Sequence, residues 1–168
     1  MPKITPTYRI HFRRRREGKT NYRKRLKLLL SKKPRLVFRR TLRYIIGQII
    51  LFDKKGDKVL FGLTSKILKK FGWKYACDNT PAAYLTGYIL AKKAIKNGIN
   101  EAVFDLGLYT SSKGNRGYAF LKGAIDAGLD VPHDESIFPS DERIKGFHIG
   151  AEVAKNFEEV KNIIDKMV

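Results

Sequence analysis

Cationic side chains near the N-terminus are the residues of this sequence best suited to chemistry. Residues 1–52 hold 17 Lys or Arg and a single acid, Glu17, whereas residues 53–168 hold 18 cations and 15 acids. Guanidinium groups bind phosphates through paired hydrogen bonds, and planar side chains stack on unpaired bases. Concentrating so many like charges is unfavourable unless a dense polyanion faces them. The charge pattern therefore predicts a surface that binds a phosphate backbone, with RNA favoured.

The candidate contact residues fall into three stretches of the chain. The N-terminal stretch contributes cations interleaved with aromatic and polar side chains: Lys3, Tyr8, Arg9, His11, Phe12, Arg13, Arg14, Arg15, Arg16, Lys19, Thr20, Tyr22, Arg23, Lys24, Arg25 and Lys27. A second set surrounds the first predicted strand: Lys33, Arg35, Arg39, Arg40 and Arg43. A third set lies in a polar loop before a predicted helix: Thr110, Ser111, Ser112, Lys113, Asn115 and Arg116.

The polar loop between Gly107 and Gly117 could seat a phosphate beside a helix N-terminus. It lacks the Gly-Lys-Ser/Thr order of a P-loop, so nucleotide hydrolysis is not predicted. An ordinary loop whose Ser and Thr residues cap the next helix explains the same residues equally well. Both interpretations stay open.

Other partners fit the basic stretch less well than RNA does. The stretch lacks the apolar face of a lipid-bound helix, and no apolar run approaches the roughly 20 residues that span a bilayer. The sequence has no helix-turn-helix or zinc motif for reading DNA. We therefore predict neither a membrane nor a DNA partner. A general nucleic-acid chaperone that binds RNA and DNA alike is the main alternative.

Catalytic interpretations have little support in the sequence. Two-metal phosphoryl chemistry needs several convergent carboxylates. Asp105 ends a predicted strand, but no spacing brings it together with the other candidate acids, which are Asp78, Asp126, Asp134 and Glu135. The three histidines are scattered, and Cys77 alone cannot build a zinc site. We predict no catalytic residue, metal ligand or cofactor, and a metal-dependent nuclease is the second alternative.

The N-terminal elements must present these cations. Residues 1–18 form an arm that we expect to be disordered alone in solution. Thr20 can then cap a helix that runs to about Ser31. Its apolar face, made of Tyr22, Leu26, Leu29 and Leu30 at helical spacing, is predicted to dock on the body with the cations pointing outward.

The rest of the chain predicts an α/β fold. Strands at 36–41, 44–52 and 58–64 are joined by short turns, which favours a three-stranded antiparallel meander. Thr80 as the N-cap and Pro81 as the first helical residue predict a helix that runs to about 97, with Tyr84, Leu85, Tyr88, Ile89 and Ile95 toward the core. A strand at 102–105 and a helix at 116–127 follow. This βα alternation after a meander predicts a mixed sheet with packed helices.

Three regions are expected along the chain. Residues 1–33 form the basic arm and helix, residues 34–130 the α/β core, and residues 131–168 an acidic extension that ends in a helix over 151–167. The apolar stripe of that helix is Val153, Phe157, Val160, Ile164 and Met167. The extension could screen the basic body or meet a basic neighbour. The single cysteine and the polar N-terminus favour a cytoplasmic protein.

Two motifs together resemble the universal large-subunit ribosomal protein eighteen family, in its archaeal and eukaryotic branch. The first motif is Gly18-Lys19-Thr20-Asn21-Tyr22-Arg23-Lys24-Arg25-Leu26 with Lys33-Pro34-Arg35-Leu36-Val37. The second includes Gly114-Asn115-Arg116, Leu121-Lys122-Gly123-Ala124, Asp126-Ala127-Gly128-Leu129 and Val131-Pro132-His133.

The resemblance names partners that the charge alone cannot. It implies that the arm and first helix grip 5S rRNA, and that the protein also contacts 23S rRNA and neighbouring proteins in the central protuberance of the large subunit. It also implies a sheet with ribonuclease-H-like topology that lacks the catalytic carboxylates of that enzyme.

Overall fold

The computed structural model describes residue 7 and residues 9–167. Along this part of the chain the elements are helices α1 (Arg13–Arg16) and α2 (Tyr22–Leu29), strands β1 (Arg35–Arg40), β2 (Ile45–Leu51) and β3 (Lys58–Thr64), helix α3 (Thr80–Lys96), strand β4 (Val103–Asp105), and helices α4 (Arg116–Asp126), α5 (Asp141–Lys145) and α6 (Ala151–Met167). Short 3-10 helices cover Ser65–Phe71 and Glu135–Ile137. None of the helices described is long and apolar enough to cross a bilayer.

The strands of the described chain form a mixed sheet in the order β3-β2-β1-β4. Strand β1 pairs antiparallel with β2, and β2 pairs antiparallel with β3. On its other side β1 pairs parallel with β4, with Arg35 opposite Val103 and Val37 opposite Asp105. The α3 crossover between β3 and β4 supplies the long connection that a parallel neighbour requires. The predicted mixed α/β class is confirmed.

Helix α3 forms the centre of the core. Thirteen of its 17 residues are buried, because the sheet, α4 and α6 cover it on different sides. The predicted core positions Tyr84, Leu85, Tyr88 and Ile89 are buried, whereas Ile95 is only half-buried. The helix begins one residue earlier than expected, because the side chain of Asn79, rather than Thr80, accepts the capping hydrogen bond.

Two glycines bring α3 and α4 into backbone contact. A Cβ atom on Gly87 would lie 2.0 Å from the carbonyl oxygen of Phe120. Reciprocally, a Cβ atom on Gly123 would lie 2.1 Å from the carbonyl oxygen of Tyr84. Any side chain at either position would force the two helices apart, so this crossing specifies glycine on both.

Helix α6 is part of the same hydrophobic core. Val153, Phe157, Val160 and Ile164 are buried on its inner face, as its apolar stripe predicts, while Met167 is 69% exposed at the end. Deleting residues 150–168 would remove these core side chains. Such a deletion could therefore not separate a role of the acidic charge from loss of folding.

Candidate nucleic-acid interface

The described part of the arm contains a helical turn that the sequence did not predict. All four arginines of α1 are exposed. The turn folds back toward α2, because Arg14 Nε donates to Thr20 Oγ1 at 2.9 Å and the Phe12 and Tyr22 rings lie 5.4 Å apart. That the arm is disordered alone in solution stays a prediction.

Most cations of the arm and α2 are exposed to solvent. We call the following exposed side chains the basic surface: Arg9, His11, Arg13, Arg14, Arg15, Arg16, Lys19, Arg23 and Lys27. Within it, Arg13 and Lys19 share Glu17, at 3.8 Å and 2.9 Å. Exposed pairs of this kind contribute little stability, so these two cations can exchange Glu17 for a phosphate. The predicted contacts Lys3 and Tyr8 lie outside the described residues.

The predicted docking of α2 through its leucine face is wrong. None of the eight residues of α2 is buried, and Leu26 and the adjoining Leu30 are 62% and 72% exposed. The helix also begins later than predicted, because Asn21 rather than Thr20 caps it by accepting a hydrogen bond from the Lys24 amide. Polar contacts hold it instead: Lys24 Nζ donates to the Gly107 carbonyl at 3.0 Å.

The main attachment of α2 is a group of ion pairs, which we call the arginine–aspartate cluster (Arg25, Arg35, Arg39, Asp57 and Asp105). Arg25 binds both carboxylate oxygens of Asp57, at 2.8 Å and 2.7 Å. Arg35, which is 4% exposed, reaches Asp57 at 2.5 Å and Asp105 at 2.8 Å. Arg39 also pairs with Asp105, at 3.4 Å. Ion pairs that share partners in this way keep buried charges compensated.

The arginine–aspartate cluster changes the roles predicted for three cations. Arg25, Arg35 and Arg39 bind carboxylates of the protein itself, so they are not among the proposed RNA contacts. Arg25 ties α2 to Asp57, Arg35 joins Asp57 to Asp105, and Arg39 pairs with Asp105, so the cluster links α2 to the sheet.

Three of the candidate carboxylates for a metal-dependent nuclease are paired with cations in this structure. The carboxylate of Asp105 accepts hydrogen bonds from Arg35 at 2.8 Å, from Arg39 at 3.4 Å and from the Gly107 amide at 2.8 Å. Asp78 pairs with Arg116, and Asp126 with Lys122. In the part of the chain that the structure describes, no group of three or more His, Cys, Asp or Glu side chains could hold a metal ion. The geometry gives no support to metal-dependent cleavage.

The ion pairs of Asp57 predict a pH-dependent stability. The hydrogen bond from Arg25, together with the charge of Arg35, lowers the pKa of Asp57 below its ordinary value of 3.8. A carboxylate whose pKa is lower in the folded state contributes stability that is present above 3.8 and is lost as the pH falls through the folded pKa. We therefore expect Asp57→Asn to be less stable than the wild type near neutral pH, with a difference that disappears in acid.

Urea denaturation of the two proteins from pH 7 to pH 2 would measure this difference. Asp53→Asn is the matched control, because Asp53 lies in the same turn, its carboxylate accepts from the Lys55 amide at 3.1 Å, and it pairs with no cation of the described chain. A difference between wild type and Asp57→Asn that stays constant down to pH 2 would contradict the prediction.

The turn after β1 extends the positive surface. Arg40 and Arg43 are exposed there, beside Leu42, which is 91% exposed. The hydroxyl of Tyr109 donates to the Arg40 carbonyl at 2.7 Å and accepts from the Arg40 amide at 3.1 Å, which fixes the end of β1 to the 107–115 loop. Lys33, in contrast, pairs with Glu101.

The polar residues from 110 to 116 differ in their contacts: Asn115 and Arg116 bind other parts of the protein, whereas residues 110–113 are exposed to solvent. Asn115 caps α4, because its side chain accepts from the Tyr118 amide at 3.0 Å, so the cap is not a Ser or Thr. Arg116 is held by Asp78, whose carbonyl and carboxylate accept at 2.6 Å and 2.9 Å. The remaining loop residues Thr110, Ser111, Ser112 and Lys113 are exposed.

Comparison with known proteins gives two findings. A family model described as "Ribosomal large subunit proteins 60S L5, and 50S L18" matches residues 6–101 and 96–134. A curated protein named "Large ribosomal subunit protein uL18", from Korarchaeum cryptofilum (strain OPF8), is 56% identical over 152 residues, which make up 90% of this chain and 77% of that protein.

Proposed function

Because this chain belongs to the family of ribosomal large subunit proteins 60S L5 and 50S L18, we propose that it binds 5S rRNA and helps to attach it to 23S rRNA in the central protuberance. As a large-subunit ribosomal protein it is a structural component of a ribonucleoprotein and not an enzyme. The observation that carries the proposal is the basic surface, whose cations are exposed while the helix below them is fixed by ion pairs.

The proposed contacts divide by the chemistry they offer. Arg13–Arg16, Arg23 and Lys27 present charge without a buried partner and suit phosphates. Phe12 is 73% exposed and can stack on an unpaired base, with Tyr22 beside it at 5.4 Å between ring centroids. We propose that Lys24 and Thr20 contribute mainly by shaping the arm, because their side chains bind Gly107 and Arg14.

The finer assignments belong to the same proposal. We propose a ribonuclease-H-like topology for the sheet, which fits the three consecutive strands followed by a parallel fourth. We also propose the division into a basic arm and helix at 1–33, a core at 34–130 and an acidic extension at 131–168. Neighbouring proteins of the central protuberance are proposed partners of the extension.

A competition experiment tests the RNA partner. We expect 5S rRNA to displace labelled 5S rRNA from the protein far more effectively than transfer RNA or duplex DNA does, measured by filter binding across a salt series. Log affinity should fall steeply with log salt, by roughly 0.7–0.9 per phosphate contact. Equal competition by all three nucleic acids at physiological salt would favour the general chaperone instead.

A further inference from the structure

A positive pocket lies at the end of β1, beside the basic surface and not within it. It has a volume of about 340 Å³, is open to solvent, and is lined by the end of β1, the start of α3, the 107–115 loop and α5. Its charged lining residues are Arg40, Arg116 and Arg143, and none of the described residues that line it is an acid. Three arginines from three distant parts of the chain therefore line one pocket, and the nearby carboxylate of Asp78, which pairs with Arg116, is not part of the lining.

The three arginines differ in the contacts that their side chains make with the rest of the protein. Asp78 fixes Arg116 from outside the lining, at 2.9 Å. The guanidinium carbon of Arg40 lies 5.8 Å from the centroid of the Tyr109 ring, which supports it by a cation–π contact. Arg143 is exposed on α5 and makes no ion pair with any residue that the structure describes. Arg143 therefore has a charge available for a ligand.

Polar side chains complete the lining. Thr110 and Ser112 face the pocket from the loop, Thr80 from the first turn of α3, and Asn115 from the cap of α4. Hydroxyl donors beside several arginines suit an oxyanion that accepts hydrogen bonds from several directions. A phosphate group has this chemistry, and a carboxylate offers fewer acceptor oxygens.

The pocket adjoins the cleft that two residues of the basic surface line. Tyr109 lines both this pocket and the cleft of about 710 Å³ between α2 and the sheet, which Arg14 and Lys19 also line. A chain of phosphates that crosses the arm can therefore continue past Tyr109 into the second pocket. A small phosphorylated metabolite would gain nothing from this continuity.

We propose that Arg40, Arg116 and Arg143 bind a phosphodiester of the rRNA backbone at a second site, separate from the arm. The inference rests on the proposed function, because it takes rRNA as the ligand. It gives the C-terminal segment a direct RNA contact, although residues 130–168 hold nine acids and five cations. Arg143 is the proposed contact residue within this net acidic segment.

Arg143→Gln tests the second site. The change removes one exposed charge and should leave thermal unfolding unchanged. Lys155→Gln is the matched control, because Lys155 is an exposed cation of the same segment that does not line the pocket. Affinity should be measured for isolated 5S rRNA and for a 5S–23S rRNA assembly, each across a salt series.

We expect Arg143→Gln to bind about tenfold more weakly than the wild type in at least one of the two assays, the cost of one charged hydrogen-bonded contact. The salt slope in that assay should fall by roughly 0.7–0.9. The assay in which this occurs identifies the RNA that supplies the phosphate. Arg143→Lys should recover only part of the loss, since lysine keeps the charge but not the planar pair of donors.

The outcomes distinguish failure of the second site from failure of the proposed binding of 5S rRNA. If wild-type protein binds 5S rRNA and Arg143→Gln behaves as Lys155→Gln in both assays, the second site is wrong while the proposed function stands. If the wild type shows no preference for 5S rRNA, the proposed function fails first.

Discussion

Replacing Arg13, Arg14, Arg15 and Arg16 together by glutamine should weaken binding to 5S rRNA by about 10³-fold near physiological salt. All four side chains are exposed, and glutamine has nearly the helix propensity of arginine, so the core should not change, although the Arg14–Thr20 hydrogen bond is lost. Each lost phosphate contact removes on the order of 1 kcal/mol. The slope of log affinity against log salt should become shallower by roughly 3. Deleting residues 1–18 should lower the affinity at least as much.

The control for this variant must lose the same charge elsewhere. Lys66, Lys69, Lys70 and Lys74 are exposed around the 3-10 helix Ser65–Phe71, away from the arm. Changing all four to glutamine should reduce the affinity far less. Equal losses in the two quadruple variants would show that net charge, and not the arm, determines binding, and the proposed contact surface would be wrong.

The second large effect concerns folding and not RNA. Gly87→Ala should lower the free energy of unfolding by about 3 kcal/mol, because the new methyl group would meet the Phe120 carbonyl at 2.0 Å. Alanine in place of glycine normally stabilises a helix by about 1 kcal/mol, so the expected change has the opposite sign to that of an ordinary helical glycine. For a chain of this size the melting temperature should fall by about 10 °C.

Gly62→Ala provides the comparison for the glycine variant. Its Cβ atom would lie 3.4 Å from the Gln48 side chain, an ordinary contact, so unfolding should change by less than about 1 kcal/mol. Calorimetry of both variants measures the difference. A Gly87→Ala protein as stable as Gly62→Ala would mean that α3 and α4 do not cross as closely as the structure shows.

Local patterns in the sequence predicted many of the elements. The strand-like run after the charged turn at 53–57 predicted β3 with its bounds of Lys58–Thr64, and the apolar stripe of α6 predicted a helix over Ala151–Met167. Helix α5 was not predicted, because its five residues are too few for a periodic pattern, and they follow a stretch interrupted by prolines.

The attachment of α2 could not be predicted from local patterns. The spacing of its leucines indicated an apolar face, yet the residues that hold the helix are acids far along the chain: Asp57 lies 32 positions after Arg25, and Asp105 lies 70 positions after Arg35. A sequence shows the charges but not which of them pair. Arg143 was missed for the same reason, since it follows two acids in the sequence, whereas the other arginines that line its pocket come from distant parts of the chain.

The pairing of β1 with β4 has a consequence for how the protein folds during synthesis. The parallel partner of β1, and the second carboxylate that pairs with Arg35, are both made about 70 residues after β1 itself. Contacts of such long sequence separation slow folding, because the loop must close before they form. A nascent chain therefore exposes an unpaired strand edge, and Arg39 lacks its carboxylate partner, until Asp105 emerges. Early capture of these segments by RNA would compete with completion of the sheet, so the timing of RNA encounter affects the yield of native protein.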